Sequence, residues 1–170
     1  MKLEALSFAD LNAALAGGAL AVAIQLEPLA QAAVAQGIAV RWRGLDEIYP
    51  NQQVAVVAYG PSITVDNPAL GRAFMMAYLK GVRDSNRAFT TGEGRPAIAA
   101  AIAKYSTVKD PRIVEAMVPV GLHSDGHVNV DSLIEDQQFY VEKATVATPI
   151  DLDKLVDRNY VDTALAQLTQ

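Results

Sequence analysis

Apolar residues recur at helical spacing along much of the chain, and capping residues mark where the helices begin. A first helix is predicted from Ser7 to Gly17, because Ser7 suits the N-cap position and apolar residues follow it at helical spacing. Asn67 followed by Pro68 is a strong helix start, and an i, i+3, i+4 stripe behind it is predicted to face a core. The members of this stripe are Leu70, Ala73, Phe74, Ala77, Tyr78, Gly81 and Val82. Further helices are predicted at Arg95–Tyr105, Asp110–Met117, Val130–Val141 and Leu152–Leu168, the last with a break near Asp157.

Three short apolar runs are predicted to be strands. They are Leu20–Ile24, Ile38–Trp42 and Val54–Tyr59. Continuous apolar runs suit strands that are covered on both faces, as in a parallel sheet. A helix from Pro28 to Gln36 is predicted between the first two runs, with Gly37 in the left-handed position that ends it. The pattern therefore predicts the α/β class, with a short, mostly parallel sheet and a helix-rich C-terminal half.

Composition limits the functions that such a fold could have. The chain has 170 residues, about half of them apolar, which suffices for one domain or for part of a larger two-domain protein. A formal net charge of -5 gives no excess of basic residues, so no nucleic-acid partner is predicted. The absence of Cys excludes thiol catalysis and disulfides, and it fits either a reduced cytosol or a cysteine-poor exported protein.

The N-terminal region is not predicted to be a signal peptide. Ala13–Ile24 is apolar, but Glu4 and Asp10 precede it and no positively charged region stands out. No apolar run approaches the roughly 20 residues that a membrane-spanning helix requires. A membrane helix is therefore not expected either.

Three polar stretches could carry chemistry but are interpreted structurally. The segment 123–127, His-Ser-Asp-Gly-His, could form a metal site, but Asp-Gly favours a tight turn, and we predict the turn. The segment 91–95 lacks the lysine and preceding strand of a phosphate loop and is predicted to join two helices. A carboxylate pair or a magnesium site could be built from the acidic residues, but acidic residues are also expected at helix starts. These acidic residues are Glu135, Asp136, Asp151, Asp153 and Asp157. No metal, cofactor or catalytic residue is predicted.

Gln25 and Glu27 interrupt an apolar surface at the point where the first predicted strand ends. Ligands of open α/β sheets bind at the carboxyl ends of strands, so both side chains are candidates for ligand contact. The structural alternative is that Glu27 simply favours the helix start ahead of Pro28. Both interpretations stay open at this point.

Several stretches, in the same order, resemble one protein family. They are AALAGGALAVAIQLEPLAQAAVAQG (13–37), YPNQQVAVVAYG (49–60), DNPALGRAFMMAYLKGVRD (66–84), DGHVNVDSLIEDQQFYV (125–141) and PIDLDKLVDRNYVDTAL (149–165). Together they resemble the C-terminal half of the NMT1/THI5-like solute-binding proteins of ABC importers, which include the sulfonate, nitrate and taurine types. The chain departs from the family at Ala21-Val22, where the family has an Asp.

The resemblance implies the C-terminal portion of a type II periplasmic-binding-protein, or Venus-flytrap, fold. Residues 1–45 would belong to the second α/β lobe, 46–60 to a crossover and return strand, and 61–170 to a helical region packing on the first lobe. A complete member would be periplasmic or extracytoplasmic, and its partners would be a small-molecule ligand and an ABC permease. This chain corresponds to roughly half of such a member, so we expect it to be a fragment or a truncated gene product.

The resemblance also implies site residues and leaves other functions open. Glu27 matches the glutamate of the family's Glu-Pro motif, Gln25 lies two residues before it, and Tyr49, Asn51 and Gln52 match the crossover. These five residues are the predicted ligand contacts or hinge. The family also has a pyrimidine synthase branch, but its cysteine-rich motif is missing here, so no enzyme is predicted. The alternative is a helix-rich, non-enzymatic interaction domain that forms a homodimer through surface that a missing lobe would cover.

Overall fold

The protein is described by a computed structural model covering residues 2–168, in which the regular structure is helical. In chain order the helices are α1 Phe8–Ala16, α2 Leu29–Ala35, α3 Leu45–Ile48, α4 Pro61–Thr64, α5 Pro68–Thr91, α6 Arg95–Tyr105, α7 Pro111–Ala116, α8 Val130–Glu142, α9 Leu152–Leu155 and α10 Asn159–Leu168. The short helices α3 and α4 were not predicted.

The predicted α/β fold is wrong, because residues 2–168 are 55% helical and contain no strand. The runs Leu20–Ile24, Ile38–Trp42 and Val54–Tyr59 are irregular, and none of them is a strand in the part of the chain that the structure describes. A strand is stable only when a neighbour satisfies its backbone groups and covers its faces. These runs are apolar, as a buried strand would be, but residues 2–168 supply no neighbouring strand. The predicted Venus-flytrap lobe is also wrong, because that fold requires the sheet.

The predicted helix boundaries are largely confirmed, because local capping interactions determine them. Helix α5 begins after Asn67, whose side-chain oxygen accepts a hydrogen bond from the Leu70 N–H at 3.1 Å. The predicted break near Asp157 separates α9 from α10, where the Asp157 carboxylate accepts from the Asn159 N–H at 2.9 Å. Gly37 follows α2 with a positive φ of 68°, as predicted.

The buried stripe of α5 matches the predicted one only in part. Of the predicted members Val82 is buried, but Leu70 and Phe74 are 51% and 49% exposed. Met75 and Leu79, which were not predicted to face the core, are buried. The register is set near Gly71, where an added Cβ would lie 2.7 Å from both Ile63 Cγ2 and Tyr160 Cε1. Only glycine permits so close an approach, and the face of α5 that carries Gly71 is therefore the face that packs.

The chain divides into two compact units. Unit 1 comprises the chain up to Trp42 together with Asp84–Gly121, and unit 2 comprises Arg43–Arg83 together with the chain from Leu122 onward. Helix α5 carries the division between Arg83 and Asp84. The division expected from the family, at residues 45/46 and 60/61, stays a prediction.

Each unit has its own apolar cluster. In unit 1 the cluster lies where α6 packs against α7, with Phe89 and Ile102 packed around its buried members. These members are Ala99, Ala103, Val114 and Met117. In unit 2 the buried members are Met75 and Leu79 of α5 and Ala164 of α10, and the rings of Tyr59 and Tyr160 pack against them.

Candidate functional site

The first predicted site lies in unit 1, where an irregular segment leads into α2. Asn12 on α1 donates to the Leu29 carbonyl at 3.0 Å and accepts from the Gln25 amide at 3.0 Å. The same Gln25 amide nitrogen donates to the Phe8 carbonyl at 2.9 Å, and its oxygen accepts from the Leu26 N–H at 2.9 Å. Both donor hydrogens of Gln25 are therefore used within the unit. Gln25 fixes the segment against α1 and offers no free donor to a ligand.

Glu27 lies two residues further on and is almost covered. Its Oε2 accepts from the Gln31 N–H at 3.1 Å, which caps a helix whose N-cap residue, Pro28, has no side-chain cap. Its Oε1 accepts from the Arg41 guanidinium. The side chain of Glu27 is 9% exposed and that of Arg41 is 36% exposed. The interpretation that Glu27 stabilises a helix start is thus confirmed, and the group of this pair that solvent reaches is Arg41.

Arg41 was missed in the sequence analysis. It lies within the run Ile38–Trp42, which was predicted to be a strand, and a charged residue inside an apolar run was a signal that could have been used. The pair Glu27–Arg41 spans fourteen residues and depends on the turn that α2 makes between them. We call Gln25, Glu27 and Arg41 the unit 1 cluster.

The other three predicted residues lie in unit 2, where residues 49–53 run beside the first half of α8. The Tyr49 hydroxyl donates to the Glu135 carboxylate, and the Gln52 amide donates to Asp136 Oδ1 at 3.3 Å. The Asn51 carbonyl accepts from the Asn129 side chain at 2.7 Å, and Asn51 itself has a positive φ of 61°. Tyr49, Asn51 and Gln52 therefore all hydrogen-bond to α8 or to its N-cap residue, Asn129, and their predicted role in ligand binding stays a prediction.

The hydrogen bond to Glu135 changes the acidity of the Tyr49 hydroxyl. The hydrogen bond to Glu135 raises the pKa of the Tyr49 hydroxyl, with smaller contributions from burial and from the charges of Glu135 and Asp136. The hydroxyl therefore stays protonated and donates at neutral pH. Such a group holds a segment in place, and it is not suited to act as a base.

The remaining polar stretches are structural. The segment 123–127 forms a turn, in which the Gly126 N–H donates to the His123 carbonyl at 3.0 Å and Asp125 accepts from the His127 N–H at 3.1 Å. Within residues 2–168, no group of three or more His, Asp or Glu side chains is placed to hold a metal ion. Asp151 and Asp157 cap α9 and α10, and the segment 91–95 joins α5 to α6, as predicted.

A cavity of about 250 Å³ lies in unit 2 between α8 and the segment that leads into α9. Its walls are polar and apolar in nearly equal parts, and none of the five predicted site residues lines it. The lining residues are Val130, Ile134, Gln137, Ile150, Asp151, Leu152 and Asp153. The Gln137 amide donates to the Ile150 carbonyl at 3.3 Å and accepts from the Ile150 N–H at 2.7 Å, and it thereby joins α8 to the opposite wall.

Comparison with known proteins identifies no relative of this chain: no family model, no curated protein and no solved structure matches it. Among the described residues, no helix is both long and apolar enough to cross a membrane.

Proposed function

We propose that this chain is the solute-binding component, or a part of one, of an ABC importer for a small nutrient. The ligand would be a sulfonate, nitrate or a thiamine-pyrimidine precursor, and the protein would be non-enzymatic and extracytoplasmic. Its partner would be an ABC permease. The proposal is supported by five sequence stretches that resemble such proteins in the same order, and it no longer draws support from the fold.

The observation that carries the proposal is the unit 1 cluster. It combines a nearly covered carboxylate with a guanidinium that is 36% exposed. Arginine suits planar or tetrahedral oxyanions, because its donors form paired hydrogen bonds with them. A sulfonate or nitrate would compete with Glu27 for Arg41, whereas an aminopyrimidine would have to displace Arg41 to reach Glu27. Because the side chain of Arg41 is more exposed than that of Glu27, an anion that binds Arg41 is favoured over an aminopyrimidine that binds Glu27.

The test is a thermal-shift titration with an alkanesulfonate, with nitrate and with an aminopyrimidine. A ligand at ten times its Kd should stabilise the protein by about 1.4 kcal/mol, a readily measured rise in Tm. We expect the anion to give this rise and Arg41→Gln to abolish it. Arg72→Gln is the matched control, because Arg72 is an exposed arginine on α5, outside the unit 1 cluster. No shift with any ligand, or an equal shift in Arg41→Gln, would contradict the proposal.

A second candidate function is a helix-rich interaction domain that forms a homodimer. It is favoured by a specific observation: large apolar side chains are exposed along all three irregular runs. Val22, Val40, Trp42 and Val54 are 72%, 89%, 80% and 63% exposed. Large apolar side chains exposed close together within one run are typical of an interface surface. Sizing combined with the same titration separates the candidates, because a ligand-stabilised monomer supports the importer and a dimer that no ligand stabilises supports the interaction domain.

A further inference from the structure

The segment Val54–Ala58, which we call the open segment, has the properties of an unpaired strand. It contains no helix, turn or bend, and every one of its residues is exposed. Val54, Val56 and Val57 are 63%, 56% and 43% exposed, so apolar side chains face solvent on both sides of the segment. No backbone N–H of the open segment has a hydrogen-bond partner among residues 2–168.

The open segment is held at both ends within unit 2. At its start, the Gln53 N–H donates to Ser132 Oγ at 2.9 Å, and Gln53 Oε1 accepts from the Asn129 N–H at 2.8 Å. At its end, the Tyr59 hydroxyl donates to the Gly71 carbonyl at 2.8 Å. The Tyr59 ring also packs edge-on against Tyr160, with ring centroids 4.9 Å apart. The conformation is therefore fixed before any partner binds, which reduces the entropy cost of binding.

The open segment also lacks the features that keep exposed strand edges from pairing. Such edges are usually protected by a charged side chain, a proline or a bulge. The sequence Val-Ala-Val-Val-Ala contains none of these. Its backbone donors and apolar side chains are most fully satisfied by another extended polypeptide, as in recognition by strand addition.

The area that the protein exposes is large enough for a stable dimer interface. The chain exposes 11858 Å², whereas two separate compact bodies of half its mass would together expose only about 9,700 Å². The chain as a whole thus exposes about 2,000 Å² more than two compact bodies would, and the open segment contributes to this exposed area. Obligate dimers bury roughly 1,000 to 2,500 Å² per subunit, so a second copy could cover this surface.

We infer that the open segment pairs with the open segment of a second copy of this chain. The inference deepens the second candidate function and rests on it. A second copy supplies the same extended backbone and the same apolar side chains. Closed dimers have two-fold symmetry, and a two-fold axis places a segment opposite itself in the antiparallel direction. One residue near the middle of the open segment then lies directly opposite its own copy.

The chain contains no Cys, so a single introduced cysteine reports on this pairing without interference. Residues directly opposite in an antiparallel pair have Cβ atoms about 4.5 to 5.5 Å apart, close to the span of a disulfide. The residue that lies opposite its own copy is expected to be one of the three central residues of the open segment. Each is therefore replaced in a separate variant: Ala55→Cys, Val56→Cys and Val57→Cys. Under mild oxidation, we expect one of them to form a covalent dimer at least ten times faster than the control.

The matched control is Val65→Cys, because Val65 is 73% exposed and lies outside the open segment. Light scattering on the unmodified protein measures the mass of the species in solution alongside the 18.1 kDa monomer. A dimer in which no variant links faster than the control would overturn the proposed surface and leave the second candidate function intact. A monomer at every concentration would overturn both.

Discussion

At the scale of single residues, Asp110 shows how one side chain fixes a helix start. Its carboxylate accepts from the Arg112 N–H at 2.9 Å and from two guanidinium nitrogens of Arg112 at 3.1 and 2.7 Å. The side-chain hydrogen bonds from Arg112, followed by the backbone one, lower the pKa of Asp110 below its ordinary value of 3.8. The same residue was predicted from the sequence as the cap of α7, because the cap and the helix are adjacent in the chain.

Asp110→Ala should lower the free energy of unfolding, and the loss should depend on pH. A folded-state pKa below the unfolded value stabilises the protein above about pH 4, and this stabilisation disappears as the pH falls through the folded pKa. The difference between the parent and Asp110→Ala should therefore be greatest near neutral pH and vanish in acid. Urea unfolding at several pH values measures it. Arg112→Ala should remove part of the same pH dependence, and a difference that is constant with pH would contradict the assignment.

At the scale of elements, α5 shows where a pattern of apolar residues misleads. The helix has apolar residues on more than one face, so the sequence allowed several stripes. The predicted stripe included Leu70 and Phe74, which are half exposed, and it missed Met75 and Leu79, which are buried. The choice between faces was made by Gly71, which lets α5 approach Ile63 and Tyr160. That contact joins distant parts of the chain, and no local pattern reveals it.

Gly71→Ala should destabilise the protein by about 1–3 kcal/mol, because the new Cβ would overlap two side chains. Gly81→Ala is the matched control on the same helix, since an added Cβ at Gly81 would meet nothing within 4 Å. There the better helix propensity of alanine should stabilise the protein by up to about 1 kcal/mol. Thermal unfolding measures both. Equal shifts in Tm for the two variants would show that α5 does not pack through Gly71.

At the scale of the whole molecule, the polar residues of the candidate site serve mainly to hold irregular segments in place. In unit 1, Gln25 and Glu27 bind the segment between α1 and α2, and in unit 2 Tyr49, Asn51 and Gln52 bind residues 49–53 to α8. Both groups match motifs of the resemblance. The hydrogen bonds of these residues hold the irregular segments in place. In the unit 1 cluster, Arg41 is the charged group that is exposed to solvent.

The absence of strands from residues 2–168 has a direct spectroscopic consequence. At concentrations where the protein is monomeric, the far-UV circular dichroism spectrum should be that of a chain about 55% helical, with no β component. The amide hydrogens of the open segment should exchange rapidly, because exposed backbone without hydrogen-bond partners is not protected. A clear β contribution in the monomer would restore the predicted sheet and contradict the helical fold.

The sequence by itself determined the features whose causes are local. Helix starts at Asn67, Asp110 and Asp157 follow from side chains that cap the backbone two or three residues away, and the turn at 123–127 follows from Asp-Gly. It also identified the apolar runs and the polar positions at 25, 27, 49, 51 and 52.

Only the tertiary structure decided what those runs and positions do. Whether an apolar run becomes a strand depends on a neighbour that satisfies its backbone, and for Val54–Ala58 none is present in the described chain. The pairing of Glu27 with Arg41 and of Tyr49 with Glu135 joins residues 14 and 86 positions apart. Contacts of this kind depend on how the chain folds back on itself, which local preferences do not specify.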